Sequence, residues 1–300
     1  LEFSTSKFNR NLVLSTIDPY FTIDGISRAF DVYYRTTKPL NTLGETYQLA
    51  TPGAAIRFGV PFSEYDTVFF GIGVESTTIK GTSALPNSYY LYRAQFGNRS
   101  LSFPLTLGWA RDERDSALVP TRGKYQRVNL EWSFAGDARY ARANAQYQQY
   151  FALTPRYTLG INAEFGLGKG FGSRPYPLFK NFFGGGLGSI RGFEQSSLGP
   201  VDVTGTYIGG NRRLNLNAEL YVPMPGSGND KTLRLFGFVD AGNVWGEGDK
   251  LQLSSLRSST GIGLSWVSPV GPLKLSYGVP LRKERTDRIQ RFQFQIGTAF

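Results

Sequence analysis

The chain has 300 residues and a formal net charge of +10, with 33 Lys and Arg against 23 Asp and Glu. It holds neither Cys nor His, which removes thiol nucleophiles, imidazole bases and the two best transition-metal ligands. No apolar run approaches the roughly 18–20 residues of a membrane helix; this excludes helical spans but not a β-barrel, whose strands need about 9–11 residues with every second one apolar. The basic balance raises nucleic acid as a partner. The Arg and Lys are scattered, however, often beside Asp or Glu, as in Arg111-Asp112-Glu113-Arg114-Asp115. No nucleic acid is therefore expected, and anionic lipopolysaccharide is the expected counterpart. Aromatics at 15% and 36 Gly suit aromatic girdles and glycine-kinked strands.

Along the chain, apolar and polar residues alternate. Val128, Leu130, Trp132 and Phe134 oppose Arg127, Asn129, Glu131 and Ser133. Tyr157, Leu159, Ile161, Ala163, Phe165 and Leu167 oppose Thr158, Gly160, Asn162, Glu164 and Gly166. Leu214, Leu216, Ala218, Leu220 and Val222 oppose Arg213, Asn215, Asn217, Glu219 and Tyr221. Period two over about ten residues means strands with one apolar and one polar face, longer than the five or six residues usual in a soluble sandwich. The pattern predicts about thirteen strands, near 10–20, 27–36, 46–60, 65–79, 101–111, 124–135, 139–152, 156–168, 207–223, 232–243, 258–268, 271–281 and 290–300, with nothing helical between them.

The connections alternate too. One set is short or proline-marked, such as Val119-Pro120-Thr121-Arg122-Gly123, Thr154-Pro155 and Ser268-Pro269-Val270-Gly271-Pro272. The other set, at 37–45, 80–100, 169–206, 244–257 and 282–289, is longer and polar, with a tight turn at Gly136-Asp137 as the exception. Short turns on one side and long loops on the other are the plan of an outer-membrane barrel, with the proline-marked ends periplasmic. The fold class expected is all-β, a transmembrane antiparallel β-barrel. Single-chain bacterial barrels close with an even strand count. Thirteen strands therefore lead to the expectation that the chain begins inside a barrel; a strand missed in 1–9 or 80–100 is the other reading.

Two segments stand out. The last strand carries Phe292, Phe294, Ile296, Thr298 and Phe300 on one face. That is either an ordinary lipid-facing strand with a girdle residue or the C-terminal sorting signal of barrel proteins. Gly297 would weaken its edge pairing, since glycine in a strand costs packing and backbone entropy. The connection 169–206 contains Phe182-Phe183-Gly184-Gly185-Gly186-Leu187-Gly188-Ser189-Ile190-Arg191-Gly192-Phe193. It lacks the spacing and the strand–helix context of a phosphate-binding loop. As a loop folded into a lumen it makes physical sense: glycines allow tight folding, Ile190 and Phe193 can pack, and Arg191 brings a forked charge. A buried guanidinium needs carboxylates. Glu219 points away from its apolar stripe, and Asp240 shares a face with Arg234, Phe236 and Phe238, so both should face the lumen. The residues leave two readings open: a cage of Arg191, Glu219 and Asp240, or a mobile surface loop with solvated charges.

Ile190-Arg191-Gly192-Phe193, flanked by Phe179-Lys180-Asn181-Phe182-Phe183 and Leu198-Gly199-Pro200, resembles the sixth-loop signature of the superfamily of outer-membrane assembly and translocation barrels. Asp18-Pro19-Tyr20-Phe21-Thr22 with Asp24-Gly25 resembles an early periplasmic turn of the assembly branch of that superfamily. Trp266-Val267-Ser268-Pro269 with Gly271-Pro272-Leu273, and Phe292-Gln293-Phe294 with Ile296-Gly297, resemble its last three strands. The likeness covers essentially the whole chain. It implies a sixteen-stranded barrel, of which these thirteen are the fourth to sixteenth. It also implies preceding POTRA domains, which are not in this sequence, and a loop arginine held by Glu219 and Asp240.

The function it implies is assembly and insertion of β-barrel proteins into the bacterial outer membrane, through a lateral seam at the last strand and the lumenal loop 169–206. Expected partners are unfolded outer-membrane proteins, accessory assembly lipoproteins (mainly through POTRA domains) and outer-membrane lipid. No cofactor, metal or catalytic residue is expected, and the protein is not expected to be an enzyme. The alternative is a secretion pore of the same superfamily, a two-partner translocator or TamA-like barrel; a passive porin would make the loop motif coincidental.

Overall fold

A computed structural model describes residues 2–5, 9–38, 47–81, 85–226, 231–269 and 271–297. Among these residues, fourteen antiparallel strands form one sheet in chain order. They are β1 (Glu2–Thr5), β2 (Asn9–Asp18), β3 (Ser27–Thr37), β4 (Gln48–Pro61), β5 (Asp66–Lys80), β6 (Arg99–Asp112), β7 (Gly123–Gly136), β8 (Tyr140–Ala152), β9 (Thr158–Gly170), β11 (Arg212–Pro223), β12 (Leu233–Trp245), β13 (Arg257–Ser268), β14 (Gly271–Arg282) and β16 (Phe292–Ile296). Two short strands stand apart and pair with each other, β10 (Gly192–Phe193) and β15 (Ile289–Gln290).

The thirteen strands read from alternation correspond to β2–β9, β11–β14 and β16, and β1 is an addition. Two strand boundaries and one connection differ notably, each for a physical reason. β11 starts at Arg212 rather than near 207, because Tyr207 and Gly210 pair with Val201 and Phe182 of the preceding loop. The last strand spans Phe292–Ile296 among the described residues, because Ile289 and Gln290 pair with the loop instead of the wall. The connection at 80–100 holds a helix, α1 (Asn87–Phe96), where none was expected. Tyr89, Tyr92 and Phe96 fall at helical spacing and pack with Tyr47, Leu85, Leu178 and Phe179. Tertiary burial of that stripe overrides the weak helix propensity of aromatics.

The two faces of the sheet are inverted relative to a soluble protein. On β12, Arg234, Phe236, Phe238 and Asp240 are buried while Leu235 and Val239 are exposed. On β7, β9 and β11 the exposed set includes Leu130, Trp132, Phe165, Leu167, Leu216 and Leu220. Apolar outside and polar inside is the arrangement of a wall that faces hydrocarbon. The sheet curls around its inner face: Lys180, between β9 and β11, reaches Glu75 on β5 and Glu131 on β7. Arg234 on β12 donates to the Pro120 carbonyl between β6 and β7 at 3.2 Å.

Inside the wall, aromatic rings lie against glycines of neighbouring segments. A Cβ on Gly263 would come within 2.3 Å of Phe236, one on Gly261 within 2.7 Å of Phe238, and one on Gly168 within 2.3 Å of Tyr176. These glycines make room for inward rings rather than serving as kinks. Outward residues have the opposite requirement. Leu216→Arg, at the middle of β11 on the exposed face, is expected to cost about 2–4 kcal/mol if it sits near the bilayer midplane. Equilibrium unfolding in lipid vesicles reads this, and a cost near zero would place that face in water.

Candidate functional site

The site is built on the segment between β9 and β11, which folds back on itself inside the wall. Phe182 and Gly210 exchange backbone bonds at 2.7 and 2.9 Å, and Leu198 N donates to Gly184 O at 3.1 Å. Gly185 and Gly186 take φ of +96° and +92°, a region side chains rarely adopt. A Cβ on Gly185 would also sit 2.4 Å from the Glu194 carbonyl. That tight turn lets Gly186 N donate to both Ile190 O and Phe193 O, at 3.2 and 3.1 Å. Ile190, Phe193 and Leu198 pack together, fully buried. They hold the motif Ile190-Arg191-Gly192-Phe193 in one conformation.

Arg191 is 1% exposed. Its Nε and Nη2 donate to Asp240 Oδ2 and Oδ1 at 2.8 and 2.6 Å, and its own backbone N donates to Oδ2 at 2.9 Å. Nη1 donates to Glu219 Oε1. Its guanidinium carbon lies 3.7 Å from the centre of the Phe238 ring. The fork geometry of arginine meets the planar carboxylate while its face stacks on an aromatic, a combination lysine cannot supply. The carboxylates are themselves held. Asn217 donates to Asp240 Oδ1 at 2.9 Å and to Ser189 O at 2.7 Å, and Tyr221 donates to Glu219 Oε2. Lys274 on β14 donates to both oxygens of Glu219, at 3.0 and 3.2 Å. Two cations thus face two carboxylates, and the buried cluster is neutral. Burial alone would lower the Arg191 pKa; the hydrogen bonds to Asp240 and the charges of Glu219 and Asp240 outweigh it and raise it, so the guanidinium stays charged.

The structure therefore brings Arg191, Glu219 and Asp240 together. Sequence reasoning missed Lys274, although the signal was present: it stands between Leu273 and Leu275, on the polar face of its strand. A second anchor was missed too. Lys180 Nζ donates to Glu75 Oε1 at 2.6 Å and Glu131 Oε1 at 2.7 Å. Tyr140 donates to the same Glu131 oxygen, and Tyr176 donates to the Lys180 carbonyl at 2.8 Å. Although burial lowers the Lys180 pKa, the neighbouring charges, that of Glu131 foremost, raise it well above the ordinary lysine value. The motif arginine ties the loop to one side of the wall, and Lys180 ties it to the other.

The last strand joins the site by a third contact. Gly192 and Phe193 pair with Gln290 and Ile289, and Gln293 Nε2 donates to Phe193 O at 2.6 Å. Phe292, Phe294 and Ile296 point outward and are exposed. Gly297, next to Ile296, takes φ +104°, and its N donates to Pro272 O at 2.9 Å. Thr298 and Phe300 lie outside the described residues. Truncating one partner of a buried pair strands the others. Arg191→Ala and Asp240→Asn are each expected to lower stability by about 3–5 kcal/mol. Arg191→Lys should also destabilise, because it loses the bidentate geometry. Urea unfolding in detergent micelles measures all three, and a shift below about 1 kcal/mol for Arg191→Ala would mean that the cluster adds nothing net.

Over residues 1–300 the chain matches the Omp85 superfamily domain. It is 39% identical, over 340 aligned residues, to the outer membrane protein assembly factor BamA of Neisseria meningitidis serogroup B. That alignment covers 100% of this chain and 43% of the relative, so the chain spans less than half of the relative's length. The crystal structure of BamA from Haemophilus ducreyi lacking POTRA domains 1–3 superposes with a TM-score of 0.86 at 26% identity, over 97% of this chain and 62% of that one. CdiB from Acinetobacter baumannii shares the fold alone, with a TM-score of 0.59 at 14% identity over 95% of this chain and 48% of that one.

Proposed function

Since the chain belongs to the Omp85 superfamily and is a bacterial outer-membrane β-barrel, we propose that it is the membrane part of an assembly factor that folds and inserts other β-barrel proteins into that membrane. The observation that carries this reading is the pinned loop. The seated loop crosses the inside of the wall, and a cavity of about 280 Å³ lined by Leu187, Gly188, Arg191, Glu219 and Lys274 lies beside it. In this reading the loop obstructs the lumen, and no polypeptide passes through it while the loop is in place. The work then falls to the wall.

In this reading the chemistry is non-covalent. β16 pairs with β14 only from Leu273 against Ile296 to Tyr277 against Phe292 among the described residues. A short pairing at a sheet edge leaves backbone donors and acceptors for an incoming strand, which adds by hydrogen bonding as in β-augmentation. The loop braces the wall behind that edge. The partners that follow are unfolded outer-membrane proteins and the lipid around the seam; accessory lipoproteins would act through periplasmic domains such as the POTRA domains named for the Haemophilus relative.

Insertion of an unfolded barrel protein into liposomes carrying the complete protein tests this. The wild type is expected to accelerate insertion, and Arg191→Ala to lower the rate about tenfold or more. Wild-type rates for the variant would remove the loop from the mechanism. A large open conductance in planar bilayers, without acceleration of insertion, would favour a secretion pore of the same superfamily.

A further inference from the structure

The last strand divides its hydrogen bonds between the wall and the loop. β14 pairs with β13 from Gly271 to Arg282, yet its pairing with β16 stops at Tyr277, followed by a bond from Gly278 N to Arg291 O at 2.8 Å. Upstream of that point the chain is held by the loop. Ile289 and Gln290 pair with Phe193 and Gly192, and Glu194 N donates to Arg288 O at 2.8 Å. Tyr207 donates to the Thr286 carbonyl, and Arg288 reaches Glu194 at 3.5 Å. β14 is shaped for the contact as well: a Cβ on Gly278 would lie 2.8 Å from Gly192 N.

Gln293 sits at the junction. It is 5% exposed on the inward face of β16, opposite Ser276, and its Nε2 donates to Phe193 O at 2.6 Å. Its Oε1 has no partner among the described residues. Burying an amide with an unmet acceptor costs free energy, so wall stability alone does not account for a glutamine there. The bond to the loop does. Arg191 lies next to the paired Gly192–Phe193 segment, which makes a continuous chain of bonds from Asp240 and Glu219, through the motif, to residues 286–293.

We infer that Gln293 is a positioning residue through which the seated loop sets the register length of the last strand on β14, so that loop and seam open as one unit. Seating of Arg191 fixes Gly192–Phe193, and these with Gln293 hold residues 289 and 290 on the loop and off the upper part of β14. Loss of either end loosens the other, because coupling between two sites is reciprocal. This rests on the insertase reading for its purpose, though not for its physics.

Amide hydrogen exchange on the complete protein in lipid nanodiscs, without substrate, tests the coupling. Arg191→Ala is expected to speed exchange about tenfold across 286–293, although the Arg191 side chain bonds to Asp240 and Glu219, and Gln293→Leu to do the same across 189–198, within the usual span of coupling. Amides of β6–β8 should stay at wild-type protection and report an intact wall. The double variant should add little to Arg191→Ala at 286–293, since both changes break one unit. Should Arg191→Ala fail to fold, Gly278→Ala, which presses on Gly192 from β14, is expected to loosen both segments. The inference is overturned if Gln293→Leu leaves 189–198 at wild-type protection, or if the loop loosens while 286–293 does not. In liposomes Gln293→Leu should slow insertion several-fold; a wild type that inserts nothing would remove the insertase reading while the exchange result stands by itself.

Discussion

Hydrocarbon around a sheet leaves its polar groups only one place to go. Every backbone donor and acceptor must be met within the wall, and every polar side chain must turn inward. An inward face carrying Asp240, Glu219, Glu131 and Glu75 then needs cations, and the chain supplies two of them from its longest loop. Arg191 and Lys180 each bring their charge to a pair of carboxylates. The carboxylates would be costly without the loop, and the arginine would be costly without the carboxylates. This mutual dependence fixes the loop inside the barrel more firmly than packing of its glycine-rich backbone could.

The rest of the interior follows from the same geometry. Rings of Phe236, Phe238 and Tyr176 fill the lumen only because Gly263, Gly261 and Gly168 leave room for them. The ring of Phe238 in turn forms the floor under the guanidinium of Arg191. Glycine and aromatic content, which first reads as kinks and girdles, is in good part inward packing that shapes the arginine site. Long loops in most proteins are mobile. Here self-pairing at Phe182–Gly210 and Gly184–Leu198, with anchors on opposite sides of the wall, makes the loop a strut.

The same strut also pairs with the segment leading into the last strand. β16 is held to β14 over a short stretch, and the residues just upstream belong to the loop. The outward face of that strand, Phe292, Phe294 and Ile296, meets lipid, while its inward Gln293 meets the motif. One strand therefore reports to the membrane on one side and to the buried charge cluster on the other. An exposed strand edge is a hazard unless something governs when it is free; in the function proposed above, the loop would do so.

Strand periodicity, the inward facing of Glu219 and Asp240, and the unusual loop with Arg191 could all be read from the residues, because a period of two assigns each side chain to a face without knowledge of the fold. Face is a local property, and so is the need of a buried guanidinium for acids. Which groups meet is not local. The distances that join Lys274 to Glu219, Lys180 to Glu75 and Glu131, and Gln293 to Phe193 arise between positions far apart in sequence, set by the curl of the sheet around the loop. The same holds for α1, whose aromatic stripe becomes a helix only because Tyr47, Leu178 and Phe179 are there to cover it. The sequence by itself determined a membrane barrel with a charged loop inside it. Only the tertiary structure decided that this loop is pinned at two walls and clasped to the last strand, because ion pairs and edge pairing depend on separations in space that alternation along the chain does not encode.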